Sequence, residues 1–587
     1  MKLVSLVFPI STLLLILLFY LGCPDPGTAE LTSDGRRSIN KRDLVLMGLI
    51  TVIYAFVAFY DLGSNEAPQS FHEFSGGESL VVDLGEVKTV GSFMYYPGPK
   101  TGSYTLSYSE DGENWVLAAE LSHGSGDVFK WVNAEFKDGV EANTRYLRIT
   151  ARSSQLLGEI AVKDPDGALL PLSGGEELCD EQSVVPQYPY YLNSSYFDEV
   201  YHPRTAYEHL NGITPYEVSH PPLGKLIIAV GMKLFGVTPF GWRFCGTLFG
   251  VLMLPIVYVF LKKMFGGFIV PACGTAILAC DFMHFTQTRI ATIDTYAVFF
   301  MLLMYLFMYL YVTEGRLRNL ALSGIFFGIG AACKWTCIYA GAGLALIWFI
   351  YRIDKLKDGE KLRDFFGNCL FCVVFFVIIP CIIYYLSYYP YGLARGMEAP
   401  SMFFTKDYAS LVWDNQNFMF NYHAYLESEH PYSSRWYEWM LDIRPILYYR
   451  QYFTDGSISA FGAFNNPVLS WAGLVAIIMV GYLAFARKDR VSLFILIGYL
   501  AQLLPWVIIR RTTFAYHYFQ SSVFLVFALC RIFSLMKENT PHWKANIYGL
   551  TTLSLILFVM FYPAISGMPI NSGILHTLCG WLPSWPF

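Results

Sequence analysis

The sequence predicts a polytopic α-helical membrane protein of about 12 transmembrane helices, with a β-sandwich domain inserted on the extracytoplasmic side. Hydrophobic residues make up 54% of the 587 residues and charged residues only 15%, whereas soluble chains carry roughly 25% charged residues. Apolar runs of about 20 residues recur, and each is long enough to cross a hydrocarbon core. The net charge of −5 and the lack of a basic stripe argue against a nucleic-acid partner.

Twelve hydrophobic segments define the predicted membrane topology. They are approximately 3–22, 44–60, 242–261, 267–283, 292–312, 319–333, 336–351, 365–388, 466–486, 491–509, 513–530 and 545–563. Every second loop is basic, and basic residues in short loops mark the cytoplasmic side. The basic stretches are 36–42, 262–263, 316–318, 352–363, 487–490 and 531–544. One orientation satisfies all of them and leaves two large pieces outside the cytoplasm.

The first segment, 3–22, has a second interpretation as a cleaved signal peptide, because Leu21-Gly22-Cys23 is a loose lipoprotein-like ending. Cleavage would carry the basic stretch 36–42 outside, against the charge trend. We therefore expect an uncleaved helix. The predicted organisation is N-terminal transmembrane helices (1–64), a β-sandwich (65–172), a catalytic first outer loop (173–241), transmembrane helices (242–388), a late outer loop (389–465), and C-terminal transmembrane helices with a tail (466–587).

The region 65–172 is polar and rich in Gly, Ser and Asp, unlike the rest of the chain. Tyr104, Leu106 and Tyr108 alternate along one face of a predicted strand, and Asp111-Gly112 is a turn signal. Many short strands in about 105 residues are typical of a β-sandwich.

Three stretches of this region, VVDLGEV, YTLSYSEDGENW and TRYLRIT, resemble the discoidin, or galactose-binding-like, family. The S-x-DG-x-x-W hairpin of that family is matched here by Ser109, Asp111, Gly112 and Trp115. The resemblance implies a carbohydrate ligand or a surface partner. A spacer or a lid over the membrane domain is the alternative, since fold alone does not fix function.

Two adjacent carboxylates, Asp198 and Glu199, lie among aromatic residues just before the chain re-enters the membrane. A partly desolvated carboxylate next to apolar groups is a candidate general base. The alternative is an ordinary helix N-terminus with acidic residues in its first turn.

Basic residues recur at the predicted outer ends of the helices, where charges are costly and therefore indicate a site. They are Lys225, Arg243, Arg289, Lys334, Arg510 and Arg511. Guanidinium groups bind phosphate through paired hydrogen bonds. The alternatives are snorkelling of Lys225, an Arg289–Asp294 pair that only holds two helix ends together, and anchoring of Arg510 and Arg511 to generic anionic lipids. Cations beside a carboxylate suit glycosyl transfer from a lipid phosphate. We see no cysteine or histidine pattern that predicts a metal site.

Seven motifs then resemble, in order, those of the protein O-mannosyltransferase family. They are FDEVYH, SHPPLGKL, TPFGWRF, QTRIATIDTY, CKWT, HPYSSRWYEWMLDIRPILYY and RRTTFAYHY. The resemblance covers about 190–535 and the helix at 44–60, and the bacterial, polyprenyl-phosphate-using branch looks most similar. Eukaryotic members carry a β-trefoil domain in the late outer loop, for which 389–465 is too short, and the discoidin-like insertion is not a common family feature.

The resemblance implies the GT-C membrane fold and a metal-independent, cofactor-independent inverting transfer. Mannose would move from polyprenyl-phosphate-mannose to Ser or Thr hydroxyls of secreted or membrane proteins, on the extracytoplasmic face of the cell membrane. Asp198 would be the base and Glu199 would orient the site. The implied donor-phosphate ligands are Arg243, Arg289, Arg510 and Arg511, with Lys225 and Lys334. The implied substrate-binding residues are His220, Asp294, His430, His517 and Trp436.

Two alternatives remain at this point. One is a same-fold transferase that uses another lipid-linked sugar or a glycan or lipid acceptor. The other is a transporter of polyprenyl-linked sugar, which would place its charges near the bilayer midplane on broken helices. Here the charges cluster at helix ends, which favours the enzyme.

Overall fold

The computed structural model describes residues 2–31, 37–134, 142–426 and 429–587, so Arg36 of the predicted basic stretch lies outside the described residues. The chain divides into two compact units. We call 1–60, 218–224 and 246–587 the helical unit, and 61–217 with 225–245 the β-rich unit.

Twenty helices occur among the described residues. In chain order they are α1 (Lys2–Leu21), α2 (Lys41–Phe59), α3 (His202–Leu210), α4 (Leu223–Phe235), α5 (Pro239–Phe265), α6 (Ile269–Ala279), α7 (Phe282–Arg289), α8 (Asp294–Glu314), α9 (Leu317–Cys333), α10 (Thr336–Lys357), α11 (Leu362–Val373), α12 (Ile379–Ser387), α13 (Tyr389–Ala394), α14 (Lys406–Tyr425), α15 (Trp436–Trp439), α16 (Gly473–Ala486), α17 (Arg490–Ile508), α18 (Phe519–Asn539), α19 (Trp543–Ser566) and α20 (Ser572–Cys579). A π-helical turn, Val374–Ile378, joins α11 to α12.

Nine helices of the described chain are long and apolar enough to cross a membrane, and the pair α6–α7, bent by 55°, makes a tenth span if counted as one. The multi-pass membrane architecture is therefore confirmed. The predicted number of about 12 also includes the 20-residue α1 and the 17-residue α9, which are apolar but are not among these spans. All twelve predicted segments nevertheless coincide with helices.

The helix α18 forms the centre of the helical unit, because every residue from Phe519 to Met536 is buried. It packs against α6, α16 and α17. A small residue makes the α6 contact close: a Cβ atom on Gly274 would lie 2.3 Å from the sulfur of Cys530. Small residues at such contacts let helix backbones approach within a membrane.

Twelve strands in the described ranges form three antiparallel sheets. The strands are β1 (His72–Phe74), β2 (Ser79–Val90), β3 (Ser92–Pro97), β4 (Gly102–Ser109), β5 (Val116–His123), β6 (Val132–Ala134), β7 (Ala142–Ala151), β8 (Gln155–Lys163), β9 (Ser173–Gly174), β10 (Ile446–Tyr452), β11 (Ser457–Ala463) and β12 (Ile570–Asn571). The β-rich unit contains a four-stranded sheet, β1-β8-β3-β6, and a five-stranded sheet, β5-β4-β7-β2-β9. Their inner faces share one hydrophobic core, so the predicted β-sandwich is confirmed.

The predicted alternation in β4 is confirmed, since Tyr104 and Leu106 are buried in this core and Tyr108 packs against it. The turn residue Asp111 follows β4, and its carboxylate accepts hydrogen bonds from the backbone N–H groups of Glu113 and Asn114, both at 2.8 Å. Hydrogen bonds from Asn114 are the main reason that the pKa of Asp111 lies well below its ordinary range. Gly112 has φ +79°, a left-handed conformation that favours glycine.

The third sheet lies in the helical unit and joins parts of the chain that are distant in sequence. Strands β10 and β11 form a hairpin in the late loop, and β12 pairs with β11 at Ser457 and Ile458. Further along the tail, the indole N–H of Trp585 donates to the backbone oxygen of Asp442 at 2.7 Å. The C-terminal segment therefore completes the late loop.

One buried carboxyl group makes the stability of the sandwich depend on pH. Glu159 on β8 is fully buried, and its carboxylate accepts hydrogen bonds from the backbone of Glu181, at 2.9 Å, and from the amide of Gln182. Burial raises the pKa of Glu159 from 4.5 to about 7. Because its pKa is higher in the folded state, the stability that Glu159 contributes is fully present below pH 4.5. This contribution is lost as the pH rises through about 7.

We expect the free energy of unfolding of the sandwich to fall by about 3 kcal/mol between pH 4.5 and pH 8, and Glu159→Gln to remove most of that fall. Urea unfolding of the full chain, followed by pulse proteolysis of the sandwich at each pH, measures it. The control is Glu120→Gln, an exposed glutamate paired with Arg152. The expectation is wrong if Glu159→Gln and Glu120→Gln show the same pH dependence.

Candidate active site

The acidic pair lies in a short 3-10 helix, Phe197–Val200, in the β-rich unit. Phe197 has φ +48°, a left-handed conformation that is uncommon for a side chain of its size. Asp198 is half-buried and Glu199 is fully buried. The helix α3 begins only at His202 and has no acidic residue in its first turn. The pair therefore belongs to a strained turn before α3, and such turns cluster at functional sites.

Glu199 forms a buried bidentate ion pair with Arg243 of α5. The Nε and Nη2 atoms of Arg243 donate to the two carboxylate oxygens at 2.8 and 2.7 Å. Arg243 also donates to the backbone oxygens of Leu62 and Ser194, both at 2.9 Å, and its guanidinium lies over the ring of Tyr196. Because this guanidinium already binds a carboxylate and two carbonyl groups, the geometry favours a positioning role for Arg243. Phosphate binding by Arg243 stays a prediction.

Lys225 is also buried beside a carboxylate. Its ammonium group donates to the carboxylate and to the backbone oxygen of Glu217 at 2.5 and 2.7 Å, and its side chain is 1% exposed. This burial does not support the snorkelling alternative. The sequence analysis did not single out Glu217. The one available signal was its position eight residues before Lys225, across a turn rich in proline.

Helix ends in the helical unit hold the next three predicted residues. Asp294 is the first residue of α8, and the ammonium group of Lys334, just after α9, lies 2.6 Å from its carboxylate. Arg289 ends α7 and donates to the backbone oxygen of Tyr60 at 2.8 Å. Asp294 thus pairs with Lys334, a partner that the sequence analysis placed in a separate loop.

A cavity of about 270 Å³ in the helical unit gathers three predicted residues, His220, Lys334 and Arg511. We call it the aromatic cavity, because six of its thirteen described lining residues carry aromatic rings. Its full lining is Ser219, His220, Pro221, Lys334, Trp335, Thr336, Tyr339, Phe420, His423, Ala424, Trp506, Ile509 and Arg511. His423 was not predicted. Its ring packs against that of His220 with centroids 5.1 Å apart.

A second cavity of about 360 Å³ is also lined by Arg511, and we call it the arginine cavity. It shares Trp506, Ile509 and Arg511 with the aromatic cavity. Its full lining is Ser433, Ser434, Arg435, Trp436, Tyr437, Glu438, Arg444, Trp506, Val507, Ile509, Arg510, Arg511, Thr512 and Thr513. Trp436 and Arg510 were predicted, whereas Arg435 and Arg444 were overlooked inside the motif of the late loop.

The remaining predicted histidines support these walls without lining them. The ring nitrogen Nε2 of His517 lies 3.4 Å from Nη2 of Arg511, and its ring packs against Trp506 at 4.4 Å. His430 accepts a hydrogen bond from the backbone of Tyr432 at 3.2 Å. Burial lowers the pKa of His430 from its ordinary value.

Comparison with protein families decides the classification. Residues 219–384 match the model of dolichyl-phosphate-mannose-protein mannosyltransferase, and residues 408–585 match the C-terminal four-transmembrane region of protein O-mannosyltransferase. The chain belongs to the protein O-mannosyltransferase family. It is therefore a glycosyltransferase. Residues 61–162 of this mannosyltransferase match the F5/8 type C domain, which confirms the discoidin-like insertion.

Relatives of this mannosyltransferase include two mycobacterial proteins named polyprenol-phosphate-mannose–protein mannosyltransferase. The protein from Mycobacterium tuberculosis (strain H37Rv) is 24% identical over 459 residues, which is 66% of this chain and 86% of the relative. The protein from Mycolicibacterium smegmatis (strain ATCC 700084) is 25% identical over 454 residues, 66% of this chain and 87% of the relative. The solved Pmt1-Pmt2 complex of S. cerevisiae, bound to the sugar donor, has a similar fold. It has a TM-score of 0.59 at 12% identity and covers 67% of this chain and 89% of that chain. The GT-C membrane fold is thus confirmed.

Proposed function

We propose that this mannosyltransferase moves mannose from a polyprenyl-phosphate-mannose lipid to Ser or Thr hydroxyls of proteins, on the extracytoplasmic face of the cell membrane. The names of the mycobacterial relatives give polyprenol-phosphate-mannose as the donor and protein as the acceptor. The observation that carries the proposal is the aromatic cavity, where Lys334, Arg511 and His220 meet among aromatic rings. Two cations in an apolar setting suit a phosphate attached to a hydrocarbon chain.

The basic residues divide into two groups by their contacts. Lys334 and Arg511 line the aromatic cavity, and we assign the donor phosphate to them. Arg243 and Lys225 bind buried carboxylates, and Arg289 binds a backbone carbonyl group. We assign these three to positioning, because they bind acceptors and are not among the lining residues of either cavity. Lys334 also pairs with Asp294, but it lines the aromatic cavity. His220 lines the same cavity as Lys334 and is assigned to the substrate.

The reaction needs one base and one leaving group. Asp198 takes the proton from the acceptor hydroxyl, and the hydroxyl oxygen forms a bond to the anomeric carbon of mannose. The bond between that carbon and the phosphate oxygen breaks on the opposite face, so the configuration inverts. The phosphate keeps the electron pair, and the cations stabilise its negative charge as it departs. Glu199 holds the turn that carries Asp198 through its ion pair with Arg243.

The test is a transfer assay with the purified full chain, radiolabelled polyprenyl-phosphate-mannose and a Ser/Thr-rich peptide. Label on the peptide, released by β-elimination, supports the proposal. Label on an added glycan or lipid but not on the peptide supports a same-fold transferase with another acceptor. Donor transported into vesicles without cleavage would support the transporter and contradict the proposal.

Arg511→Gln is expected to weaken donor binding by about 30-fold, because a hydrogen bond to a charged group contributes roughly 1.5–3 kcal/mol. The KM for the acceptor should change far less, since Arg511 is assigned to the phosphate of the donor. Initial rates over a donor titration measure it. Arg450→Gln, at an exposed arginine of β10, is the matched control. Equal donor KM in the two variants would contradict the phosphate assignment.

A further inference from the structure

The arginine cavity carries more positive charge than the proposed donor site requires. Arg435, Arg444, Arg510 and Arg511 all line it, with Glu438 as the acidic residue among its described lining. One oxygen of the Glu438 carboxylate accepts a hydrogen bond from the backbone N–H of Arg435 at 2.7 Å. Within the described ranges, none of the four guanidinium groups forms an ion pair with a carboxylate. Four cations around one polar space indicate an anion site.

The position of this cavity at the end of a spanning helix indicates where the anion comes from. The last residues of α17 are apolar and exposed, with Leu504, Val507 and Ile508 at 53, 47 and 82%. Such side chains on a membrane-spanning helix face lipid. Arg510 follows Ile508 by two residues, so its guanidinium lies at headgroup depth. Trp436 of the same lining is an aromatic residue of the kind that is enriched at this depth.

We propose that the arginine cavity binds the phosphate of a membrane lipid at a site separate from the aromatic cavity. Its volume of about 360 Å³ falls within the range of roughly 300–1,000 Å³ that is typical of ligand pockets. Arg435, Arg444 and Arg510 hold the phosphate through guanidinium hydrogen bonds, while the apolar residues Val507 and Ile509 lie where the lipid chains begin. An acidic polypeptide would satisfy the charges but would not use the lipid-facing end of α17.

The contacts of the wall residues leave donors available for this role. Arg444 Nη2 donates to the backbone oxygen of Pro431 at 2.7 Å, and Arg511 Nη2 approaches His517 at 3.4 Å. A guanidinium has five N–H donors, so each of these groups retains others for a phosphate. The site does not depend on the transfer reaction, and its binding can be measured without donor or acceptor.

Native mass spectrometry of the full chain in detergent, titrated with lipid, tests the proposal. The probes are phosphatidylglycerol, polyprenyl phosphate and zwitterionic phosphatidylcholine. We expect the double variant Arg435→Gln/Arg510→Gln to bind an anionic lipid about 30-fold more weakly, since each of the two cations near a membrane surface contributes about 1 kcal/mol. Arg450→Gln should bind as the unmodified chain does. If the double variant fails to fold, the single variant Arg444→Gln takes its place. It should also weaken binding of the same lipid.

The two anionic probes distinguish the source of the phosphate. A loss confined to phosphatidylglycerol identifies a bilayer phospholipid, and a loss confined to polyprenyl phosphate identifies the released carrier. Unchanged binding of both lipids in the folded variants would overturn the proposal. An equal loss of phosphatidylcholine binding in the same variants would also overturn it. If the chain binds lipid normally but transfers no mannose, the proposed function is contradicted and the proposal of this lipid site still stands.

Discussion

We expect Asp198→Asn to lower the rate of mannose transfer by about 10³-fold, because a positioned general base contributes roughly 10²–10⁴-fold and an amide cannot take the proton. The substitution preserves shape, and the ion pair between Glu199 and Arg243 does not involve the Asp198 side chain. Folding should therefore be unaffected. Rates measured at saturating concentrations of both substrates give kcat. A group that acts on the reacting hydroxyl should change this constant.

Asp166→Asn is the matched control for this experiment, since Asp166 is an exposed aspartate of the same β-rich unit. It should keep the full rate. An Asp198→Asn protein that is produced at normal levels and transfers mannose at the unmodified rate would remove Asp198 from the mechanism.

Arg243→Met should destabilise the β-rich unit by about 3–5 kcal/mol, the usual cost of leaving one member of a buried ion pair without its partner. Both side chains are inaccessible, at 1% for Arg243 and 0% for Glu199. The substitution also removes the hydrogen bonds to Leu62 and Ser194. Chemical unfolding of the purified protein, monitored in detergent, measures the loss.

A nearly identical ion pair on the surface provides the control for that experiment. Arg145 also makes two hydrogen bonds to a carboxylate, that of Asp83, at 2.9 and 3.0 Å. Its side chain is 40% exposed and that of Asp83 is 30% exposed. Exposed pairs contribute about 0–1 kcal/mol, so Arg145→Met should cost little. Equal losses in the two variants would show that burial does not determine the strength of the Glu199 pair.

Local patterns were sufficient to predict the helices and the sandwich, because periodicity and turn residues act over a few positions. The alternation of Tyr104 and Leu106 and the turn at Asp111 are examples. The predicted motifs also contained seven of the thirteen described residues that line the aromatic cavity. Their charge at the predicted ends of helices was enough to single out Lys334 and Arg511 as candidate site residues.

Pairing partners were not predictable from such patterns. Lys334 pairs with Asp294, forty residues earlier, because the ends of α8 and α9 meet in space. Glu217 pairs with Lys225 through a turn whose geometry the sequence does not specify. Arg435 and Arg444 come together with Arg510 only because the late loop folds beside the end of α17. Sequence shows which residues carry charge, whereas the arrangement of the loops decides which charges are neutralised.

The pairing of β12 with β11 has a consequence for biosynthesis. At 5–20 residues per second, β12 is translated about 5–20 s after β11. During this interval the late loop exists as a hairpin with one edge of β11 unpaired, and open strand edges recruit other chains. The loop that carries Trp436 and Arg435 is thus completed late in synthesis. A bulky fusion placed after Trp585 would interfere with that final step, although it lies far from both cavities in sequence.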